Sequence, residues 1–215
     1  MLLYLSSYKI GNRREELVKW INENNNKILV IPNALDVFAD GERKTKGIVD
    51  KCKELEDIGF EYEILDLRKY FGKKQELMDD LKGYKAFYAL GGNVFVLRTA
   101  MKLSGFDEYL KEMSKKNEYL YSGFSAGMCV LAENLHGIEL VDDSNKDPYN
   151  YGETIWEGIG LINYLPVPHF DTPEHPESPL MYEVVKYLEN NDLRYKTLKD
   201  GDVIIENTSS RNLKK

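Results

Sequence analysis

The chain has 215 residues, of which 42% are hydrophobic and 30% charged, and these values are typical of one globular domain, residues 1–215, with a sizeable core. Its net charge of −7 argues against nucleic acid or an anionic membrane as a partner, although a pocket on an acidic protein can still be locally basic. No apolar run approaches the roughly 20 residues that cross a bilayer, and the N-terminus lacks a signal-peptide pattern, so we expect a cytoplasmic protein.

The first part of the chain alternates between predicted strands and predicted helices. Strands are predicted at residues 2–6, 27–31, 61–67, 86–90 and 119–122, and helices at residues 15–22, 43–58, 74–81, 94–103 and 106–114. Runs such as KILVI at 27–31 are apolar throughout, as a strand covered on both faces requires. This alternation predicts an α/β fold, a three-layer αβα sandwich around a mainly parallel central sheet.

After Glu133 the alternation stops. Residues 142–151 are polar and rich in turn formers, residues 162–168 are extended, and residues 172–179 contain three prolines and form a loop. A helix is predicted at 181–188. Asp200-Gly201 is a turn signal between two short apolar runs, 195–198 and 203–206, and predicts a terminal β-hairpin.

The sharpest motif is Gly123-Phe124-Ser125-Ala126-Gly127, a G-x-S-x-G sequence between a predicted strand and a helical stretch at 128–133. This is the context of a nucleophile elbow, a tight turn that exposes the serine hydroxyl at the carboxyl edge of the sheet. Glycines are expected on both flanks because side chains there would collide with neighbouring backbone. Ser125 is therefore the candidate nucleophile, and the alternative is a serine that only caps the helix.

Histidine is the usual base for a serine nucleophile near neutral pH, and the chain has three histidines. His136 lies eleven residues after Ser125, where the rise of the helix would carry it away from the hydroxyl. His175 lies in the proline-rich loop and is expected at the solvated surface. His169 closes the apolar stretch 165–168 at a strand-to-loop junction, where the sites of α/β proteins gather, and is the predicted base.

The base needs a carboxylate on its second ring nitrogen, which fixes the tautomer and stabilises the imidazolium. The candidates are Glu139, Asp142, Asp143, Asp147 and Asp171. Asp171 is only two residues from His169, so side-chain alternation places it beside the ring rather than facing it. We favour the Asp142-Asp143 pair, with Asp143 slightly ahead, against the alternative that these are solvated loop carboxylates.

Gly91-Gly92-Asn93 directly follows the strand at 86–90 and opens the helix at 94. Two glycines at such a turn let the backbone approach a ligand closely, and the helix start supplies N–H groups. With the N–H of Ala126, the N–H of Gly92 or Asn93 is predicted to bind the oxyanion of a tetrahedral intermediate. A plain tight turn is the alternative.

No cofactor and no metal are expected. The glycine motifs that bind dinucleotides and nucleoside triphosphates are missing from the sequence. Cys52 and Cys129 form neither a disulfide framework nor a metal-binding pattern, so both are expected to be reduced thiols.

Taken together, Leu90-Gly91-Gly92-Asn93, the elbow at 123–127 and Pro168-His169-Phe170 resemble, in order and approximate spacing, the peptidase E (aspartyl dipeptidase) family. The resemblance covers most of the chain and implies a fold similar to the class I glutamine amidotransferase domain, a flavodoxin-like sandwich. It implies a serine peptidase that removes an N-terminal aspartate from short peptides, mainly dipeptides, through an acyl-enzyme.

Carried over residue by residue, the resemblance implies that Ser125 is the nucleophile and His169 the base. Asp142 or Asp143 would complete the triad, and Gly92 with Ala126 would form the oxyanion hole. Two departures bear on the substrate: Val94 stands where the family commonly has threonine, and the segment from Ser125 to His169 is longer.

The sequence assigns no residue to substrate specificity. An aspartate side chain needs a cation, and Arg98 and Lys102 follow the G-G-N turn, but on the helix they could equally face water. Two alternatives stay open, a serine hydrolase for another amide or ester and a non-catalytic amidotransferase-like binding domain. A glutaminase is disfavoured because position 125 is serine rather than cysteine.

Overall fold

The computed structural model describes residues 1–208, and over this range the chain forms a six-stranded sheet, a second sheet of two strands, and flanking helices. The strands are β1 (Leu2–Ser6), β2 (Lys27–Ile31), β3 (Glu61–Ile64), β4 (Ala86–Ala89), β5 (Leu120–Phe124), β6 (Leu165–Val167), β7 (Tyr195–Thr197) and β8 (Val203–Asn207). The α-helices are α1 (Arg14–Glu23), α2 (Glu42–Asp57), α3 (Lys74–Asp80), α4 (Val94–Ser104), α5 (Phe106–Met113), α6 (Ala126–Cys129) and α7 (Ser178–Asn190). Short 3-10 helices occupy Asn33–Val37, Leu67–Tyr70 and Ile138–Leu140.

The six-stranded sheet has the order β3-β2-β4-β5-β1-β8. Its first five members pair in parallel, and β8 pairs antiparallel with β1 at the edge. The prediction of a mainly parallel sheet is thus confirmed. Parallel pairing places the carboxyl ends of β1, β4 and β5 on one edge of the sheet, where ligands of α/β proteins bind. The segments that leave these ends carry Ser7, Gly91 and Ser125.

Alternate side chains of each strand enter two apolar clusters, one on each face of the sheet. Tyr4 and Tyr88 belong to the cluster covered by α1 and α2. Their strand neighbours Leu3 and Phe87 belong to the cluster covered by α3 to α7. Since both faces are covered by helices, the strands are apolar throughout, and the predicted αβα sandwich is confirmed.

Two predictions about strands differ from the structure. The strand predicted at 61–67 ends at Ile64, because Asp66 caps the 3-10 helix that follows, its carboxylate accepting a hydrogen bond from Arg68 N at 3.0 Å. The terminal hairpin is wrong. The two strands β7 and β8 form as expected, but β7 pairs in parallel with β6 and β8 pairs with β1. The turn at Asp200 therefore carries the chain from one sheet to the other.

Cys52 and Cys129 are both buried, and neither takes part in a disulfide. They belong to the apolar clusters on opposite faces of the sheet, so no disulfide joins them. Within residues 1–208, no helix combines the length and the apolar composition that crossing a bilayer requires.

Candidate active site

Ser125 lies on a strained turn between β5 and α6. Its φ of 49° and ψ of −119° place a non-glycine residue in the left-handed half of backbone space, a strained turn of the kind that the G-x-S-x-G motif predicts. A Cβ on Gly123 would lie 2.5 Å from Gly127 O, and one on Gly127 would lie 2.2 Å from Ala89 O. Both flanking glycines are therefore required by close backbone approach, the physical reason expected from the sequence.

The helix that follows Ser125 is shorter than predicted and begins earlier. It is the single turn Ala126–Cys129, where the sequence suggested 128–133. A helix of one turn has only a small dipole, so its contribution to anion binding comes from the N–H groups of its first residues, which have no partner within the helix. Ala126 is the first of these residues.

His169 follows the end of β6 and is almost completely buried, with 2% of its surface exposed. Its backbone is also left-handed, with φ of 56°, and its N–H donates to Ser7 Oγ at 2.8 Å. The ring nitrogen Nδ1 lies 2.6 Å from Asp200 Oδ1, and Ser7 Oγ donates to the same carboxylate oxygen at 2.9 Å. Ser7 and Asp200 together fix the position and the ring orientation of His169, and Nε2 is the ring nitrogen that Asp200 does not contact.

Burial lowers the pKa of His169 below its ordinary value of 6.5, while the hydrogen bond with Asp200 acts in the opposite direction. The nearby ring of His175 adds to the lowering. The imidazole is therefore neutral at pH 7, the state in which it can accept a proton.

Ser125 and His169 line the same open cleft, which has a volume of about 340 Å³. Gly91, Gly92 and Asn93 line it as well. The structure thus brings the predicted nucleophile, the predicted base and the double-glycine turn to one place on the carboxyl edge of the sheet.

The double-glycine turn packs tightly against the elbow. A Cβ on Gly91 would lie 3.1 Å from the Cβ of Ser125. Gly92 has a φ of 146°, and a Cβ added to it would lie only 2.4 Å from Ala34 O. Asn93 N–H donates to Ala34 O at 2.9 Å, so it is already engaged. Of the two donors considered from the sequence, Gly92 is therefore the better candidate to act with Ala126.

The structure places the two carboxylates favoured from the sequence in the cleft but not on the base. Asp142 Oδ2 accepts a hydrogen bond from Val94 N at 2.7 Å, and Asp143 is exposed, with its backbone carbonyl accepting from Asn93 Nδ2 at 3.0 Å. This pair clamps the loop that carries Gly92. The carboxylate hydrogen-bonded to His169 is Asp200, so the assignment of the orienting acid to Asp142 or Asp143 is corrected.

Burial raises the pKa of Asp142 to about 7, the hydrogen bond from Val94 N opposes this, and the charge of Glu177 adds to it. Asp142 is thus a carboxyl group whose charge changes near neutral pH while it holds the start of α4. In contrast, a hydrogen bond from the backbone of Asn145 lowers the pKa of Asp143.

The remaining histidines differ in their relation to the site. His136 stacks on Trp156 with ring centroids 4.3 Å apart and lines a separate cavity, as its distance along the chain suggested. His175 was expected at the solvated surface, but it is half-buried and contacts the site. Its ring stacks face to face on His169, with centroids 3.6 Å apart and planes 2° apart, and the edge of Tyr8 contacts both rings.

One group of side chains has metal-binding composition. Ligand atoms of His169, His175 and Glu177 lie within 4.8 Å of one another. However, the lone pairs of two imidazoles lie in their ring planes, and in face-to-face rings these planes are parallel. The two nitrogens cannot converge on one ion at a bond length of about 2.1 Å unless one ring turns. The stacked arrangement therefore suits a metal poorly.

Arg98, one of the two cations considered for specificity, is not available to a substrate. It is buried, donates to Glu157 O at 2.8 Å and pairs with Asp107 at 3.0 Å. The site residues that sequence reasoning missed are Ser7, Asp200 and the stacked His175. In the sequence, Asp200 stands out only as part of an Asp-Gly turn motif, which predicts a local turn and not a contact with His169.

Comparison with known proteins gives a family and a fold. The family model for peptidase family S51 matches residues 2–211. The structure is similar to that of a candidate peptidase E protein from Listeria monocytogenes EGD-e, with 22% identity, a TM-score of 0.68, and coverage of 96% of this chain and 98% of that one. It is also similar to a peptidase from an acI-B1 Actinobacterium, with 16% identity, a TM-score of 0.64, and coverage of 95% and 82%. No curated protein matches the sequence.

Proposed function

Because this chain belongs to peptidase family S51, we propose that it is a serine peptidase of short peptides that prefers dipeptides with an N-terminal aspartate. The observation that carries the serine mechanism is the hydrogen bond of 2.6 Å between His169 Nδ1 and Asp200, in the cleft that also holds Ser125 on its strained turn. An imidazole held by a carboxylate and a serine hydroxyl in the same cleft are the groups that perform acyl transfer.

In the first step, Ser125 Oγ attacks the scissile carbonyl carbon while His169 Nε2 takes the hydroxyl proton. Asp200 keeps the proton on Nδ1 and stabilises the imidazolium that forms. Since burial has lowered the pKa of His169, the ring enters this step neutral.

The tetrahedral intermediate places its negative charge on the former carbonyl oxygen, which accepts hydrogen bonds from the N–H groups of Gly92 and Ala126. Collapse of the intermediate breaks the C–N bond, and the imidazolium gives its proton to the leaving amine. The product of this first half of the reaction is an acyl ester on Ser125. A water molecule, deprotonated by His169, then hydrolyses the ester and restores the hydroxyl.

The charges around the cleft support a short, zwitterionic substrate. A dipeptide has an ammonium group at one end and a carboxylate at the other, and one with aspartate has a second carboxylate. Asp143 and Glu177 contribute negative charge to the cleft, and Lys51 and Lys146 contribute positive charge. Groups of both signs within one cleft match both ends of such a peptide.

The proposal is tested by hydrolysis of an aspartyl chromogenic amide against its alanyl, leucyl and glutamyl analogues. We expect the aspartyl compound to be preferred, and Ser125→Ala to lower kcat by about 10⁴-fold or more. Ser114→Ala, which removes an exposed hydroxyl away from the cleft, is the matched control and should retain wild-type activity. Full hydrolysis by Ser125→Ala, or hydrolysis of none of the four compounds by the wild type, would contradict the proposal.

A further inference from the structure

A second cavity, of about 460 Å³, adjoins the active-site cleft. The two cavities share Leu35, Phe38 and Lys51 as lining residues, so they form one continuous depression. Arg43 and Gly47 of α2 also line the second cavity. Positions 43, 47 and 51 are four residues apart, and residues at this spacing lie on one face of a helix. One face of α2 therefore extends the cleft away from Ser125.

Gly47 has no packing reason to be glycine. A Cβ built on it meets no atom within 4 Å, and its φ is an ordinary helical one. Glycine inside an exposed helix is less favourable than alanine by about 1 kcal/mol. What the glycine does provide is a gap in the helix surface between Arg43 and Lys51, and that gap is part of the cavity.

The charge along this face is positive and not neutralised. Lys44 also lines the cavity, but it pairs with Asp36 and Asp40. Arg43 and Lys51 form no ion pair with any residue in the range 1–208. In the cleft itself, Lys146 pairs with Asp143 at 3.6 Å. Two cations without an ion-pair partner in this range make this face attractive to an anion.

We propose that Arg43, Gly47 and Lys51 form a substrate subsite that binds a carboxylate of the peptide. The proposal rests on the proposed function, and it names the cations that recognise the acidic substrate. Guanidinium and ammonium groups bind carboxylates through charge-assisted hydrogen bonds. The gap at Gly47 lets the carboxylate reach between them. The aromatic ring of Phe38, 62% exposed at the shared wall, is available to cover the apolar part of the peptide.

The carboxylate comes from one of two sources, the aspartate side chain or the free C-terminus, and the peptides used in the test separate them. Binding of Asp-Ala, Asn-Ala and Asp-Ala-amide to the non-cleaving Ser125→Ala protein is measured by titration calorimetry. If the subsite binds the side chain, Asn-Ala binds more weakly than Asp-Ala; if it binds the C-terminus, the amide does. Loss of a charge-assisted hydrogen bond should raise Kd by about tenfold or more.

Two changes in the same protein test the subsite itself. Lys51→Gln removes a cation, and Gly47→Leu fills the gap with a residue that favours the helix and meets no atom at its Cβ. Each should abolish the preference for the carboxylate peptide and leave binding of its neutral analogue unchanged. Lys46→Gln makes the same charge change on the same helix outside the cavity and should bind all three peptides like the parent.

The results separate this proposal from the proposed function. Carboxylate-dependent binding that Lys51→Gln abolishes supports the subsite, even if the wild-type protein hydrolyses nothing, in which case only the peptidase assignment fails. Turnover of aspartyl peptides with no effect of Lys51→Gln or Gly47→Leu on KM overturns the subsite alone. Absence of binding by all three peptides overturns it as well.

Discussion

Replacing Asp142 by asparagine should make the protein more stable than the wild type, and the gain should grow as the pH rises. The pKa of Asp142 is raised by burial to about 7, whereas an unfolded aspartate has a pKa of about 3.9. Below about pH 4 the carboxyl group is protonated in both states. Between about pH 4 and 7 the unfolded chain is ionised while the folded protein keeps the proton, so the wild type loses stability with rising pH. Asparagine has no charge to bury, and its side-chain oxygen can still accept the hydrogen bond from Val94 N.

The shift of about three units corresponds to at most about 4 kcal/mol in the free energy of unfolding. Because Asp142 is only half-buried, water screens part of the charge, and we expect a difference of about 2 kcal/mol between pH 5 and pH 8. Urea unfolding of both proteins at the two pH values measures it. Asp143→Asn is the matched control: because the pKa of that exposed carboxyl group is lowered, it is ionised in both states at pH 5 and at pH 8, so its replacement should shift stability equally at the two pH values. A stability difference between wild type and Asp142→Asn that does not depend on pH would refute the reasoning.

The other predictions concern the base, its neighbours and the elbow. Asp200→Asn should lower kcat by about 10⁴-fold without changing the fold, because the acceptor for Nδ1–H is lost. Steady-state kinetics measure the effect, and a loss of less than tenfold would show that Asp200 is not part of the triad. In the wild type, kcat/KM should fall as the pH drops through the pKa of His169, which lies below 6.5; in Asp200→Asn this acidic limb should move to lower pH, because the carboxylate raises that pKa. His175→Ala should lower kcat by about tenfold or more, because it removes the ring stacked on His169. His175→Phe retains a ring face and should recover most of the lost kcat. Equal kcat values in the two variants would contradict a role for the stacking. Gly127→Ala should lower Tm by several degrees because its Cβ collides with backbone, whereas Gly47→Ala, whose Cβ meets nothing, should raise Tm slightly in the same thermal scan.

The sheet and its helices could be predicted because their signals are local. An apolar run such as 27–31 fits a strand buried on both faces, and the helical spacing between such runs places helices on either side. The tight turn at Ser125 could be predicted for the same reason, since a turn that forbids side chains on both flanks leaves glycines in fixed positions. His169 could be placed at the carboxyl edge because the end of an apolar strand can be located in the sequence.

The partner of His169 could not be predicted, because its position depends on pairing between distant segments. Asp200 reaches the base because β8 docks on β1, which brings the turn before β8 next to Ser7, 193 residues away along the chain. From the sequence alone, the two apolar runs on either side of Asp200 predict a hairpin. The contact of His175 with His169 likewise depends on how the loop before α7 folds back over the site, and its proline-rich composition indicates only a loop.

The most direct test of the central claim, that His169 activates Ser125, is the rate at which a diaryl phosphonate of aspartate labels the protein. Intact-mass measurement followed by peptide mapping should place one phosphonyl group on Ser125 of the wild type. His169→Ala should slow the labelling by several orders of magnitude, and His136→Ala should leave it unchanged. Labelling at another residue, or equal rates for wild type and His169→Ala, would contradict the account.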